Sequence, residues 1–341
     1  MFNSGIMLHY LKVFLFGGLI LLSASCKNSD GNSGSMALTG DPEIDGLSAQ
    51  IAKSSDNAKL YYLRGQKFYE KSSYDNAIAD LKQAIRLDSL NPEYYHLLAD
   101  TYLDYYNSKE AIQTLQQLML IYPERIPTLL KLAEFKHIIE DYDGSILTVN
   151  EVVRLDPQNA EAYFMLGMNF RALGDNARAM NSFQTAVEFD SGLTDAWLIL
   201  GDLYEQKNDP KALKYYDSAI LSNPDLTEAY HSKAFYLQNH GKIPEAKQIY
   251  RDIILKDKNY EAAYLNLGVL YMEQDSLDLA YEQFNILAGI NPKNYMGFYM
   301  RGMVQEKKGK TEAARTDYLS AYNLNSNDER VADALEKVGK K

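Results

Sequence analysis

Self-similarity at a fixed interval constrains this chain more than any other feature. The pairs Arg64-Gly65, Leu98-Ala99, Leu132-Ala133, Leu166-Gly167, Leu200-Gly201, Lys233-Ala234, Leu267-Gly268 and Arg301-Gly302 follow one another about every 34 residues. A period of this length marks a repeat array, in which one supersecondary unit cannot bury its apolar face alone and stacks on its copies. With Ala58 as the first position, the units run 58–91, 92–125, 126–159, 160–193, 194–226, 227–260, 261–294 and 295–328, the fifth shortened by one residue before Lys211.

The positions within the unit carry a packing code. Aromatics occupy the fourth place at Tyr61, Tyr95, Tyr163, Trp197, Tyr230, Tyr264 and Phe298. The twentieth is Ala in every unit except for Ser145, and the twenty-fourth is bulky: Leu81, Leu115, Val149, Phe183, Tyr216, Tyr250, Phe284 and Tyr318. Small residues let helices approach closely, and a large neighbour fills the remaining space. Pro123, Pro157, Pro224 and Pro292 all fall at the thirty-second position, just past the second helix, where a missing N–H does no harm. Pro210 and Pro244 open second helices and Pro127 opens a first. Each unit therefore reads as helix, turn, helix.

This pattern resembles the tetratricopeptide repeat over residues 58–328. The resemblance implies an all-α chain: a right-handed α-solenoid of about eight helix-turn-helix repeats, with first helices lining a concave groove and second helices forming the back. It also implies a binding scaffold and not an enzyme. Ile44, Leu47 and Ile51 share one helical face and are expected to form an N-terminal capping helix over 44–57. Val331, Leu335 and Val338 do the same over 329–341, because the ends of a stack need closing.

Ahead of the array, Val13 to Leu22 is apolar, follows Lys12, and ends in Leu21-Leu22-Ser23-Ala24-Ser25-Cys26. Ten residues are too few to span a bilayer, which takes ~20, and the layout is that of an export signal over 1–25, starting at Met1 or Met7. Cys26, the only cysteine, rules out an internal disulfide. Its setting resembles a bacterial lipoprotein box, although Ser23 stands where the box carries Leu. The resemblance implies lipidation at Cys26 and an anchor that holds the chain on the outer membrane without spanning it, facing the periplasm; the alternatives are a non-lipidated export signal with a chance cysteine and a short buried core helix. Residues 26–43 are Ser/Gly/Asn-rich and read as a tether.

Charge and motifs narrow the function. A net charge of −11 argues against a nucleic-acid partner, since phosphate binding needs a basic surface. There is no phosphate loop, nucleophile elbow, zinc helix or cysteine pair, so no catalytic residue, cofactor or metal site is expected. His96 and Asp100 lie four apart on one helix, but no further ligands complete a shell. Of 27 tyrosines, thirteen fall on structural positions, so about half of the aromatic content is packing and not a sugar-stacking surface.

In the family, the second, fifth, ninth and twelfth positions of first helices face the groove. The early repeats place acids there (Glu93, Asp100, Glu134, Glu161, Asp195, Asp202) and the later ones place Phe235, Leu265, Val269, Met272, Met296, Tyr299 and Met303, with Phe164 and Met168 between. The fifth positions, read as Tyr62, Tyr95, Leu130, Phe164, Leu198, His231, Leu265 and Tyr299, lack the Lys that family co-chaperones use to grip a C-terminal carboxylate. An acidic half followed by a methionine and aromatic half suits a basic or amphipathic protein segment, since methionine adapts to varied apolar shapes. The expected groove set is Tyr62, Tyr95, Asp100, Glu134, Phe164, Met168, Asp202, Phe235, Val269, Met272, Met296, Tyr299 and Met303. A peptidoglycan or polysaccharide strand is the alternative ligand.

Overall fold

A computed structural model describes residues 39–339. The export signal, Cys26 and the tether up to residue 38 lie outside the described residues.

Eighteen helices and no strand are found among the described residues. Helix α1 (Pro42–Lys53) precedes eight antiparallel pairs: α2/α3 (Ala58–Glu70, Tyr74–Leu87), α4/α5 (Pro92–Asp104, Ser108–Ile121), α6/α7 (Ile126–Ile138, Tyr142–Leu155), α8/α9 (Ala160–Ala172, Asn176–Phe189), α10/α11 (Thr194–Gln206, Lys211–Ser222), α12/α13 (Thr227–Asn239, Ile243–Lys256), α14/α15 (Glu261–Glu273, Leu277–Ile290) and α16/α17 (Tyr295–Lys307, Thr311–Leu324). Helix α18 (Glu329–Gly339) closes the array. The chain is an α-solenoid. Its core is a series of clusters passed from one pair to the next, as a stack without a centre requires.

The packing code explains each pair. All eight residues at the twentieth position are fully buried, and those at the twenty-fourth are at most 1% exposed. The knob's size dictates what faces it on the first helix. A Cβ added at Gly201 would meet the Tyr216 ring at 2.4 Å, and one at Gly268 the Phe284 ring at 2.5 Å. Aliphatic knobs leave more room: at Gly65 the nearest atom is Leu81 Cγ at 3.0 Å, and Ala99 and Ala133 stand in the repeats whose knobs are Leu115 and Val149. Gly65 with Leu81 and Ala234 with Tyr250 depart from this pairing.

Two local devices repeat along the chain. The residue linking first to second helix is left-handed in every repeat: Ser72, Tyr106, Glu140, Gly174, Asn208, Gly241, Asp275 and Gly309. Between repeats, an Asp or Asn side chain accepts from the backbone N–H two residues on, as in Asp88 to Leu90 (3.2 Å), Asp190 to Gly192 (2.8 Å) and Asn291 to Lys293 (3.1 Å), an Asx turn that ends the second helix. The fourth-position aromatic reaches back to the same loop. Tyr95 Oη donates to the Ser89 carbonyl at 3.1 Å and Trp197 Nε1 to that of Ser191 at 3.0 Å. A ring with a polar tip is needed to do both jobs.

The ends differ from the middle as stacking demands. Helix α1 begins at Pro42, two residues ahead of the expected start, because Asp41 accepts from the N–H groups of Glu43 and Ile44 and Pro42 fits the first turn. It ends at Lys53, where the expectation ran to 57. Ile44 and Ile51 are buried. Arg64 fixes it to the first repeat: its guanidinium forks onto Asp80 (both contacts 2.7 Å) and donates to Ser48 Oγ of α1 at 2.9 Å. The last repeat uses the same device, with Arg301 on Asp317 and on Asn285 of the preceding second helix, and Val331 and Val338 of α18 are buried. Both Arg residues occupy a place that holds Leu in five of the six internal repeats.

Candidate functional site: the groove of the first helices

The first helices of neighbouring repeats approach one another, as α2 does α4, α6 does α8 and α10 does α12, whereas second helices do not to the same extent. Elements on the inside of a curve are the closer ones, so the first helices line the concave face. Among the described residues no helix is long and apolar enough to cross a membrane, and no group of three His, Cys, Asp or Glu side chains is placed to hold a metal.

Acids occupy the early and middle groove. Asp100 pairs with Lys131 Nζ at 2.6 Å. Burial, the largest influence, nevertheless raises the carboxyls of Asp100 and Glu134 above their ordinary range, and raises Asp195 and Asp202 as well. Glu161 is pushed up to about 7 by burial, and its Oε1 has no hydrogen-bond partner. His96 is lowered to about 4, first by burial and then by Arg125 and Lys131, and its Nε2 lies 3.0 Å from Thr128 Oγ1. His96 and Asp100 thus each have a partner in the next repeat and do not converge.

One member of the expected set is misplaced. Tyr95 is the fourth-position aromatic, 5% exposed with its hydroxyl spent on the Ser89 carbonyl, and takes no part in the groove surface. The true fifth position of that repeat is His96, one residue on. Tyr62 is half-buried with its ring 5.0 Å from Tyr94. Phe164 packs edge-on to Phe183 at 5.6 Å and, with Met168, borders the core of the middle repeats. Val269, Met272, Met296, Tyr299 and Met303 are likewise half-buried and packed against the core of the later repeats. Their packing is shared between neighbouring helices and the groove wall.

Phe235 stands apart at 42% exposed. It borders a recess of about 500 Å³ between α10 and α12, with Asp202, Glu205, Tyr216 and His231 around it. Tyr216 Oη lies 3.0 Å from Asp202 Oδ1 and 2.7 Å from Glu205 Oε2. His231 stacks at 15° to the Phe235 ring, and burial lowers its pKa; Asn266 lies 3.0 Å from its Nε2. Asp202 and Phe235 belong to the expected groove set, His231 is read as a fifth-position residue without entering that set, and Glu205 and Tyr216 are not expected there. Glu205 sits one turn after Asp202 at the twelfth position, so the groove rule reaches it. Tyr216 belongs to the second helix and was assigned wholly to packing. A second recess, about 430 Å³, lies along α11 between Pro210 and Leu221.

A helical repeat solenoid with a lined concave face is a ligand-binding scaffold by architecture. Family models described as TPR repeat match residues 65–104, and those described as tetratricopeptide repeat match 139–193, 164–226, 233–295 and 297–328. The chain belongs to the tetratricopeptide repeat family, whose members generally act as protein-binding scaffolds. It is 27% identical over 161 residues to the general transcriptional corepressor ssn6 of Schizosaccharomyces pombe, covering 46% of this chain and 15% of that one. It is 22% identical over 266 residues to a TPR repeat-containing protein of Methanocaldococcus jannaschii, covering 76% and 41%. The chain spans less than half the length of these curated relatives. Among solved structures, it is similar to the APC/C hetero-tetramer Cut9-Hcn1, with a TM-score of 0.49 at 17% identity, covering 86% of this chain and 58% of that chain.

Proposed function

We propose that this chain is a lipid-anchored, non-enzymatic scaffold of a bacterial cell envelope, which holds a protein segment in its concave groove and so supports assembly of an envelope complex. The observation that carries the binding role is the groove itself: acids on consecutive first helices, one with an unpartnered oxygen, lead to the exposed ring of Phe235. Such a surface complements a basic or amphipathic segment in charge and in shape. The location rests on the apolar run Val13–Leu22 and on Cys26 behind it, which supply an export signal and a lipid acceptor on the periplasmic side of the outer membrane.

Two measurements test the two halves. Labelled palmitate is expected in the wild-type chain and absent from Cys26→Ala, which moves to the soluble fraction; equal labelling of both sinks the anchor. Affinity capture from crosslinked envelopes is expected to enrich one protein with the wild type and to lose it with Phe235→Glu, whose exposed position spares the fold. The exposed ring among carboxylates and hydroxyls also favours a second ligand class, a peptidoglycan or polysaccharide strand. Retention on purified sacculi, abolished by Phe235→Glu, would establish that reading instead.

A further inference from the structure

The recess between α10 and α12 has an electrostatic peculiarity. Tyr216 carries one hydroxyl proton and has two carboxylates within hydrogen-bond reach, so at any moment it donates to Asp202 or to Glu205 and leaves the other without it. Asn239 Nδ2 approaches Glu205 Oε1 only at 3.4 Å. No Lys or Arg among the described residues forms an ion pair with either acid, whereas the similarly groove-facing Asp100 has Lys131, and Asp217 on the neighbouring second helix has Lys233. His231, lowered by burial and with Nε2 turned to Asn266, supplies no positive charge at neutral pH. Two like charges are therefore drawn together over an open recess, and direct compensation is missing, because Arg171 acts on Asp202 only from beyond ion-pair distance.

The fourth wall indicates what supplies it. Phe235 presents an exposed aromatic face beside the two carboxylates. A flat face next to a pair of acceptors suits a side chain that is cationic at its tip and apolar along its stem. Guanidinium meets both demands, because it stacks on rings and donates in a fork to carboxylates; ammonium meets the charge alone.

We propose that this recess is an anchor pocket for a cationic side chain of the bound segment, arginine in preference to lysine, received between Phe235 and the Asp202–Glu205 pair. The proposal deepens the groove-binding reading and rests on it. Met272, Met296 and Met303 lie further along the same face, so the partner's apolar residues are spaced along the groove from its basic one.

The test is selection of random dodecapeptides from a display library against the full chain in detergent, followed by anisotropy titration of the selected peptides. The proposal expects wild-type selections to share an arginine at one position. The Asp202→Asn/Glu205→Gln double variant is expected to bind those peptides about tenfold more weakly, and its own selections to lose the arginine. Phe235→Ala, at an exposed site, is expected to weaken them in the same direction. If wild type and double variant select the same peptides with equal affinity, the pocket is overturned while groove binding stands. If folded wild-type protein selects no peptide, both fall together, and retention on sacculi then identifies the glycan as occupant.

Discussion

In six of the eight repeats, the choice of glycine or alanine on the first helix follows the size of one partner side chain. Gly201→Ala drives a methyl into the Tyr216 ring, and overpacking of this kind costs about 1–3 kcal/mol. Gly65→Ala makes a looser contact, 3.0 Å to Leu81 Cγ and 3.4 Å to the Ala77 carbonyl oxygen. Denaturant melts are expected to show a clear loss for the first and a much smaller one for the second; equal losses would refute the size rule. The reverse change applies at the inter-helix turn. Glu140 holds φ at 65°, a conformation that costs a side-chain-bearing residue roughly 1–2 kcal/mol, so Glu140→Gly is expected to stabilise by about 0.5–1 kcal/mol after the entropy that glycine adds to the unfolded chain. Glu161 makes stability depend on pH in an unusual direction. Its folded pKa, about 7, lies above the ordinary carboxyl value, so above pH 7 the native state carries a charge that the unfolded chain holds more easily. Protonation relieves that cost as pH falls through 7, and below about 4.5 both states are protonated. Glu161→Gln is therefore expected to raise the melting temperature at pH 8, with the gain fading through pH 7 and gone near pH 4.5. A gain that is constant with pH would contradict this.

At the scale of helices, the Arg64–Asp80 ion pair reaches the N-terminal capping helix through Ser48, at a place where internal repeats mostly use leucine. Asp80 is nearly buried and Arg64 is its partner, so Arg64→Ala leaves an uncompensated charge worth about 3 kcal/mol. In a stack coupled only to nearest neighbours, the damage stays local. Hydrogen exchange is expected to accelerate across Pro42–Lys53 and the first repeat while α10 to α13 keep their protection; uniform acceleration would mean that the array melts as one body. The period exposed these helices in the sequence because each imposes one small and one bulky place per turn of the pattern. The left-handed turn escaped the sequence reading, because only Gly174, Gly241 and Gly309 mark its position and five other residue types occupy it elsewhere. The start of α1 escaped because Asp41 and Pro42 cap it ahead of the first apolar residue, Ile44.

For the whole molecule, architecture was readable and the binding surface only partly so. Asp202 and Phe235 lie on different first helices, 33 positions apart, and only the stacking of repeats joins them with Glu205 and a hydroxyl from α11. Tyr95 shows the opposite failure: a shift of one residue on a helix turns a groove position into a buried one, so rules for a face tolerate no error of register. The methionines Met272, Met296 and Met303 illustrate a third limit, since one side chain serves both the contact between repeats and the groove wall. The central claim is that partners bind on the concave face around Phe235. The most direct measurement places a photoreactive amino acid at position 235 and, in a separate chain, at the fully outward Leu120 on α5, and compares the products formed in living cells. The account predicts a discrete protein adduct from position 235 that Asp202→Asn/Glu205→Gln diminishes, and none of that species from position 120. The same adduct from both positions, or from 120 alone, would contradict it.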